Sequence, residues 1–347
     1  MIAATQPKQR PANARLLVVD QNGKFDHVMR PSFVEYLHAG DLIIANDAAT
    51  LPASLQGVHF ATGDSIELRL AARSSLHAED INRFSALVFE AGDFHTRTED
   101  RLAPHLVVGD LIIVGPLRAT IEKLLFKTRL VLLRFEGTPD YVWAGLAHHG
   151  RPIQYSHIAE PLALWDVWTR IAGPPVAFEP PSASFTIDWH LLSEMRDRRI
   201  EFETITHAAG ISSTGYEELD RLLPLDEPYR IPEVTALAIQ RARERGGRII
   251  AVGTTVVRAL EHAATDDGRV RAGEGIATQR IGPSSRLRVV DAILSGTHEP
   301  GTSHYELLRA FLDDATLERA TRELDDRNYL THEFGDSVLI ERSCLIG

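Results

Sequence analysis

Two patterns of apolar residues share this chain, and the seam between them constrains its fold more than any single motif. Between Pro52 and Tyr155 the apolar runs are short and separated by turn residues: Ile66 to Leu70, Ala86 to Phe89, Leu111 to Val114, Leu130 to Phe135 and Tyr141 to Ala144. Runs this brief and this frequent predict a small antiparallel barrel or sandwich. Beyond Pro174, helical periodicity over Asp188 to Arg199, Pro232 to Arg245, Val256 to Ala264, Ser303 to Leu312 and Ala315 to Asp325 alternates with strand candidates. Those strands are Glu203 to Thr206, Arg248 to Val252 and Leu287 to Ala292, and the alternation predicts an α/β layer. Near the start, Leu16 to Val19 and Leu42 to Ala45 read as strands around a helix near Ser32 to His38, able to pair with the C-terminal layer. The expected fold class is therefore mixed α/β: a main domain over residues 1–51 and 156–347, with the strand-rich region over 52–155, a small antiparallel barrel or sandwich, as an insertion.

Turn chemistry marks several of these strands. Gly40-Asp41, Gly63-Asp64, Gly109-Asp110 and Gly335-Asp336 each lead into an apolar run, as a turn feeding a strand does. Their uneven spacing reads as shared turn grammar rather than a repeat. The Pro232 helix is bounded at both ends, by proline in its first turn and by Gly246-Gly247 after arginines 241, 243 and 245.

Composition narrows the function classes. With 37 Lys and Arg against 48 Asp and Glu, the net charge of −11 repels polyanions and anionic lipid, so any grip on nucleic acid must be local. No stretch approaches the ~20 apolar residues needed to span a bilayer, and Met1 to Arg15 has no apolar signal core, so a soluble cytoplasmic protein without a membrane partner is expected. Cys344 is the only cysteine, which excludes an internal disulfide and a cysteine-based zinc site, and its place near the C-terminus favours a bland thiol.

Four segments place polar groups where chemistry is possible. Arg248 to Glu261 reads as buried strand, glycine turn and helix, which aims unpaired N–H groups at the crevice beyond the strand's carboxyl end. Gly253, Thr254 and Thr255 stand at that mouth, with Arg258 and Glu261 one turn further in on the same helical face. The alternative is a threonine N-cap with an intrahelical Arg258–Glu261 pair. Asn46-Asp47 ends a strand, as either a turn or a site, and His207 ends another. Asp291 lies within a strand candidate that leads into a loop bearing His298 and Glu299, and a buried Asp is costly unless paired. No G-x-G-x-x-G follows a strand, and Gly210 to Gly215 is followed by Tyr216 where a phosphate-binding loop needs Lys, so dinucleotide and P-loop readings fall. His148 and His149 are adjacent and read as a solvated turn rather than metal ligands; no metal is expected.

Taken in order, these segments resemble the S-adenosylmethionine:tRNA ribosyltransferase-isomerase family of queuosine biosynthesis. The family's Ile-Ala-Val-Gly-Thr-Thr-Ser-Val-Arg-Ala-Leu-Glu matches Ile250 to Glu261 with one change, Val256 for Ser. Gly40 to Leu55, Ile205 to Gly210, Glu227 to Pro232, Val289 to Ile293, His298 to Pro300, Arg309 to Phe311 and Phe334 to Ser337 resemble further family motifs in the same order. There are departures. Ala48-Ala49 stands where the family has Thr-Arg, Ser54 replaces the arginine of Pro-Ala-Arg-Leu, and Pro180 to Phe185 is shorter than its family counterpart and lacks its His.

The resemblance implies an α/β domain interrupted by a β-barrel-like domain, S-adenosylmethionine as ribosyl donor, and a modified deazaguanine at a tRNA wobble position as acceptor. Such a reaction needs a base for an acidified C5′ hydrogen, a group that holds the cation, and an acid or donor for departing adenine. It implies His207 or His298 for proton transfer, a histidine being suited by its ordinary pKa, and Asp291 or Asp336 for the cationic donor. Asn46, Asp47, Gly253, Thr254, Thr255, Arg258 and Glu261 are the implied substrate-binding set. With two family arginines absent, two alternatives stand beside tRNA modification: a paralogous transferase acting on a non-tRNA acceptor, and a noncatalytic RNA-binding protein of the same fold.

Overall fold

A computed structural model describes residues 1–343, so Cys344 lies outside the described residues. Among those residues nine strands form the main sheet, in the order Gly273–Ala277, Glu227–Ile231, Glu201–His207, Leu42–Asn46, Ile249–Val252, Ala292–Gly296, Ser337–Glu341, Arg15–Val19 and Phe25–Met29. Its centre, from Glu201–His207 to Ala292–Gly296, is parallel, and the flanking Glu227–Ile231 and Ser337–Glu341 strands run antiparallel to it. Leu42–Asn46 and Ile249–Val252 are buried along their whole length, as apolar runs with cover on both faces must be. Alternation divides them between two cores. Leu42, Ile44 and Ala251 pack with Val256, Leu260 and Ala238 of the Thr254–Ala263 and Glu233–Glu244 helices. Ile43, Ala45 and Ile250 face Phe33, Val34 and Met195 instead.

The strands between Ser54 and Phe135 close into a barrel. Ser54–His59, Ser65–Ala72, Arg83–Glu90, Leu130–Phe135, Leu117–Phe126 and Leu111–Val114 follow one another around it, and Val58 opposite Ile113 joins the last strand to the first. Closure removes the unpaired edges that a short-stranded sheet would otherwise expose. The segments that lead into and out of the barrel region meet, because Ala49–Thr50 pairs in parallel with Pro175–Ala177.

Five sequence expectations are corrected. Tyr141 to Ala144 is helical, inside Pro139–His149, because Thr138 accepts the Tyr141 N–H at 3.3 Å and Pro139 opens the first turn. His148 and His149 consequently end a helix rather than sit in a turn. Leu287 to Ala292 is not a strand: the amides of Val289 and Val290 go to Glu261, and pairing begins only at Ala292. The segment near Ser32 is a 3₁₀ helix over Arg30–Tyr36, and the helix from Ser303 stops at Leu308 rather than Leu312.

Candidate active site

The order of the parallel strands creates a crevice. From Leu42–Asn46 the chain proceeds to Glu201–His207 on one side, then crosses to Ile249–Val252 on the other, so connections diverge beyond the carboxyl end of the middle strand. Open α/β sheets bind ligands at such a switch point. Gly253 sits there at φ +95°, a conformation that disfavours any other residue, and it lets the Thr254–Ala263 helix start directly after the strand. Asn46 ties the neighbouring ends together: its Oδ1 accepts the His207 N–H at 2.9 Å, and its Nδ2 donates to the His207 carbonyl at 2.9 Å and to Thr255 Oγ1 at 3.4 Å.

A cavity of about 100 Å³ opens beside this corner, lined by Gly253, Thr254, Thr255, Arg258, Glu227, Glu179, Ser295, His298 and His304, with Ala209 to Ser212 along one wall. Two carboxylates on that wall have opposite surroundings. Burial pushes the Glu227 carboxyl up, but Arg258, which ion-pairs with it, and His207 Nε2 at 2.8 Å outweigh burial and hold it below its usual value. Its Oε1 also accepts the Gly210 N–H at 2.6 Å. Glu227 is thus a fixed carboxylate. Glu179 has no such cation among the described residues; burial raises it to about 7, although Tyr155 Oη and the Ser212 amide, the latter at 3.1 Å, both donate to its Oε1.

Two histidines complete the lining. His298 and His304 stack with ring centres 4.7 Å apart and 12° between planes, and His298 Nε2 lies 3.0 Å from Ser295 Oγ. Burial first, then His304 and His332, lower His298 well below the ordinary histidine value, so its imidazole is neutral at physiological pH. Burial lowers His304 as well.

The structure brings together Asn46, Gly253, Thr254, Thr255, Arg258, His207 and His298, but not all in the implied roles. His207 is fully buried behind Glu227, with Nδ1 lacking a hydrogen-bond partner among the described residues, so it is a positioning group rather than one that touches a ligand. Arg258 lines the cavity with its donors already committed to Glu227 and to the carbonyls of Leu225, Ala277 and Gln279. Asp47 accepts from Thr206 Oγ1 at 2.7 Å and Thr204 Oγ1 at 3.2 Å, outside the lining. Glu261 points away and accepts the N–H groups of Arg288, Val289 and Val290 at 2.7 to 2.9 Å, so it neither faces the threonines nor pairs with Arg258. Asp291 sits at the opposite end of its strand, bound to the Ile249 N–H and to Arg342. Asp336 is buried against Arg15 and the Leu330 N–H. Neither aspartate lines the cavity.

Sequence reasoning missed Glu227, Glu179, His304 and Ser295 as site residues. Glu227 had a signal, standing at the head of the Glu-Pro-Tyr stretch that resembled a family motif. Glu179 immediately precedes the segment that departs from the family, where no motif singled it out. Among the described residues, His157, His332 and Glu333 form a trio whose ligand atoms lie within 4.8 Å of one another. The two histidine rings stack at 4.2 Å and 16°, so their in-plane lone pairs do not converge, and holding one ion would require a ring to turn.

Comparison with known proteins decides the family. The family model described as "Queuosine biosynthesis protein" matches residues 1–340. The chain belongs to this family. Within it, the S-adenosylmethionine:tRNA ribosyltransferase-isomerase of Citrifermentans bemidjiense is 31% identical, covering 98% of this chain and 96% of that one. The namesake from Gloeobacter violaceus is 32% identical over 97% of this chain and 92% of its own. A crystal structure of S-adenosylmethionine tRNA ribosyltransferase from Thermotoga maritima shares the fold, with a TM-score of 0.51 at 23% identity, covering 97% of this chain and 96% of that one. Family membership agrees with the barrel-bearing α/β architecture that the change of sequence pattern predicts.

Proposed function

We propose that this chain transfers and isomerises the ribosyl group of S-adenosylmethionine onto a deazaguanine base in tRNA, with the cavity beside Gly253 as the donor pocket. The observation that carries this reading is a neutral imidazole, His298, lining a switch-point cavity whose floor is a helix N-terminus bearing two threonines. A sulfonium acidifies the donor's C5′ hydrogens, and a neutral imidazole accepts such a proton where an imidazolium does not. His298 is therefore the base of this reading, in preference to His207, which is sealed behind Glu227. The amides at the start of the helix, with Thr254 and Thr255, offer donors to ribose or carboxylate oxygens. The Glu227–Arg258 pair, internally neutralised, holds the wall in place. At about 100 Å³ the enclosed space is smaller than the ~300 Å³ of ordinary ligand pockets, so the donor projects from its mouth toward an acceptor arriving from solvent.

The family arginines that this chain lacks do not belong to this wall. Ala49 is buried in the paired strands at the base of the insertion, and Ser54 donates to Glu67 at 3.0 Å within the barrel. Their absence nevertheless keeps a small, non-RNA acceptor as the second reading. One assay separates the readings: release of adenine and methionine from S-adenosylmethionine, with and without tRNA carrying the deazaguanine. Release that requires the tRNA is expected. Release without RNA selects the small acceptor, whereas tight tRNA binding with no donor affinity selects a noncatalytic binder.

A further inference from the structure

Glu227 and Glu179 are held by one short loop. The Gly210 N–H donates to Glu227 and the Ser212 N–H to Glu179, so the amides that anchor them lie two residues apart, within ~7 Å along the chain. Both side chains line the donor cavity. Among the described residues, only Glu227 of the two has a guanidinium against it. Glu179 instead receives a hydrogen bond from Tyr155, whose ring lies 5.8 Å from the Arg69 guanidinium and stacks on His157. Glu333, paired with His157 at 3.1 Å, adds a second negative field near Glu179. Where the environments of two carboxyls diverge in this way, one stays ionised and the other is free to exchange a proton near neutrality.

We infer that Glu179 is the general acid of the site, protonating adenine as it leaves the donor, with Tyr155 as its positioning partner; this rests on the donor-pocket reading above. The step balances. As the C1′–N9 bond breaks, its electron pair stays on the purine, the Glu179 O–H bond breaks, and an N–H bond forms on the purine. The proton lost at C5′ goes to His298, a separate group, so neither residue must serve twice. Glu179 carries a pKa of about 7, which leaves a substantial protonated fraction at working pH, and burial is the first cause of that elevation.

The test is adenine release in single turnover, across pH, by wild type, Glu179→Gln and Tyr155→Phe, with donor affinity from calorimetry and folding from thermal melts. Glutamine can still accept from Tyr155 and Ser212 but cannot give a proton. The expected result is a roughly 100-fold or larger loss of rate in Glu179→Gln with donor affinity retained, and loss of the alkaline limb near pH 7. Tyr155→Phe removes a donor that favours the carboxylate, so its alkaline limb moves to higher pH, and this variant carries the test if Glu179→Gln does not fold. Glu179→Gln releasing adenine at the wild-type rate with the limb intact overturns the inference, as does an unmoved limb in Tyr155→Phe. Wild-type protein that never releases adenine, with or without tRNA, overturns the donor-pocket reading itself, which separates the two failures.

Discussion

At the amino end of the central parallel strands, charged groups pair off. Arg248 joins Asp41 at 2.6 Å and Glu341, Asp41 also accepts the His38 and Arg248 amides, and Asp291 is taken up by Arg342 and the Ile249 N–H. At the carboxyl end, Glu179 lacks a cation, His298 is stripped of its charge by burial, and a nitrogen of His207 is unpartnered among the described residues. The same residue types thus stabilise one end of a sheet and are left reactive at the other. What differs is the partner. A charge whose counter-charge is in contact is structure, and a titratable group buried without one is poised to exchange protons.

The sharpest break of this contrast is His298→Ala, which should cut single-turnover adenine release by roughly 10²- to 10⁴-fold while the melting temperature moves little, checked by rapid quench and calorimetry. Next, Glu227→Gln leaves Arg258 as a buried, uncompensated cation and should cost about 3–5 kcal/mol of stability in urea unfolding. Glu179 makes a pH-dependent difference. Its folded pKa lies above its unfolded value, so the folded state binds more protons; the stability it contributes is complete below pH 4.5 and is lost as pH rises through about 7. Comparing Glu179→Gln with wild type at pH 4.5 and pH 8 should reveal a crossover worth ~3 kcal/mol at most; parallel stability curves would refute it. At the paired end, Asp41→Asn should lower stability by about 2 kcal/mol without touching turnover below the melting point. Smallest of all, Asp291→Asn, half-exposed beside Arg342, should cost about 1 kcal/mol and leave the rate of adenine release unchanged.

These cases also mark how far the sequence could be read. The strand, glycine and helix at Arg248 to Glu261 were legible because apolar periodicity and a lone glycine are local signals, and the structure places that corner beside the cavity. Asp291 was misassigned because an aspartate at a strand start looks the same whether or not an arginine from the far C-terminus arrives to meet it. Glu179 was invisible for the converse reason: its elevation comes from burial and then Glu333, against hydrogen bonds from Tyr155 and Ser212, and these groups are scattered from residue 155 to residue 333. The Leu287 to Ala292 segment failed on competition, since its alternation suits a strand but Glu261 captures three of its amides. Tyr141 to Ala144 failed on a cap, where Thr138-Pro139 outweighed a strand-like run of four.

The parallel clasp of Ala49–Thr50 with Pro175–Ala177 has an architectural consequence. Because the two polypeptide joints to the barrel are neighbours, the main sheet holds its excursion as a stalk holds a leaf, and lengthening the leaf does not spread the stalk. Each doubling of an excursion closed at a fixed base adds only about 0.6 kcal/mol of ring-closing entropy. Size variation in that appendage is therefore nearly free to the catalytic half, and a circularly permuted chain opened at an exposed barrel turn should leave the joints, and the crevice beyond them, undisturbed.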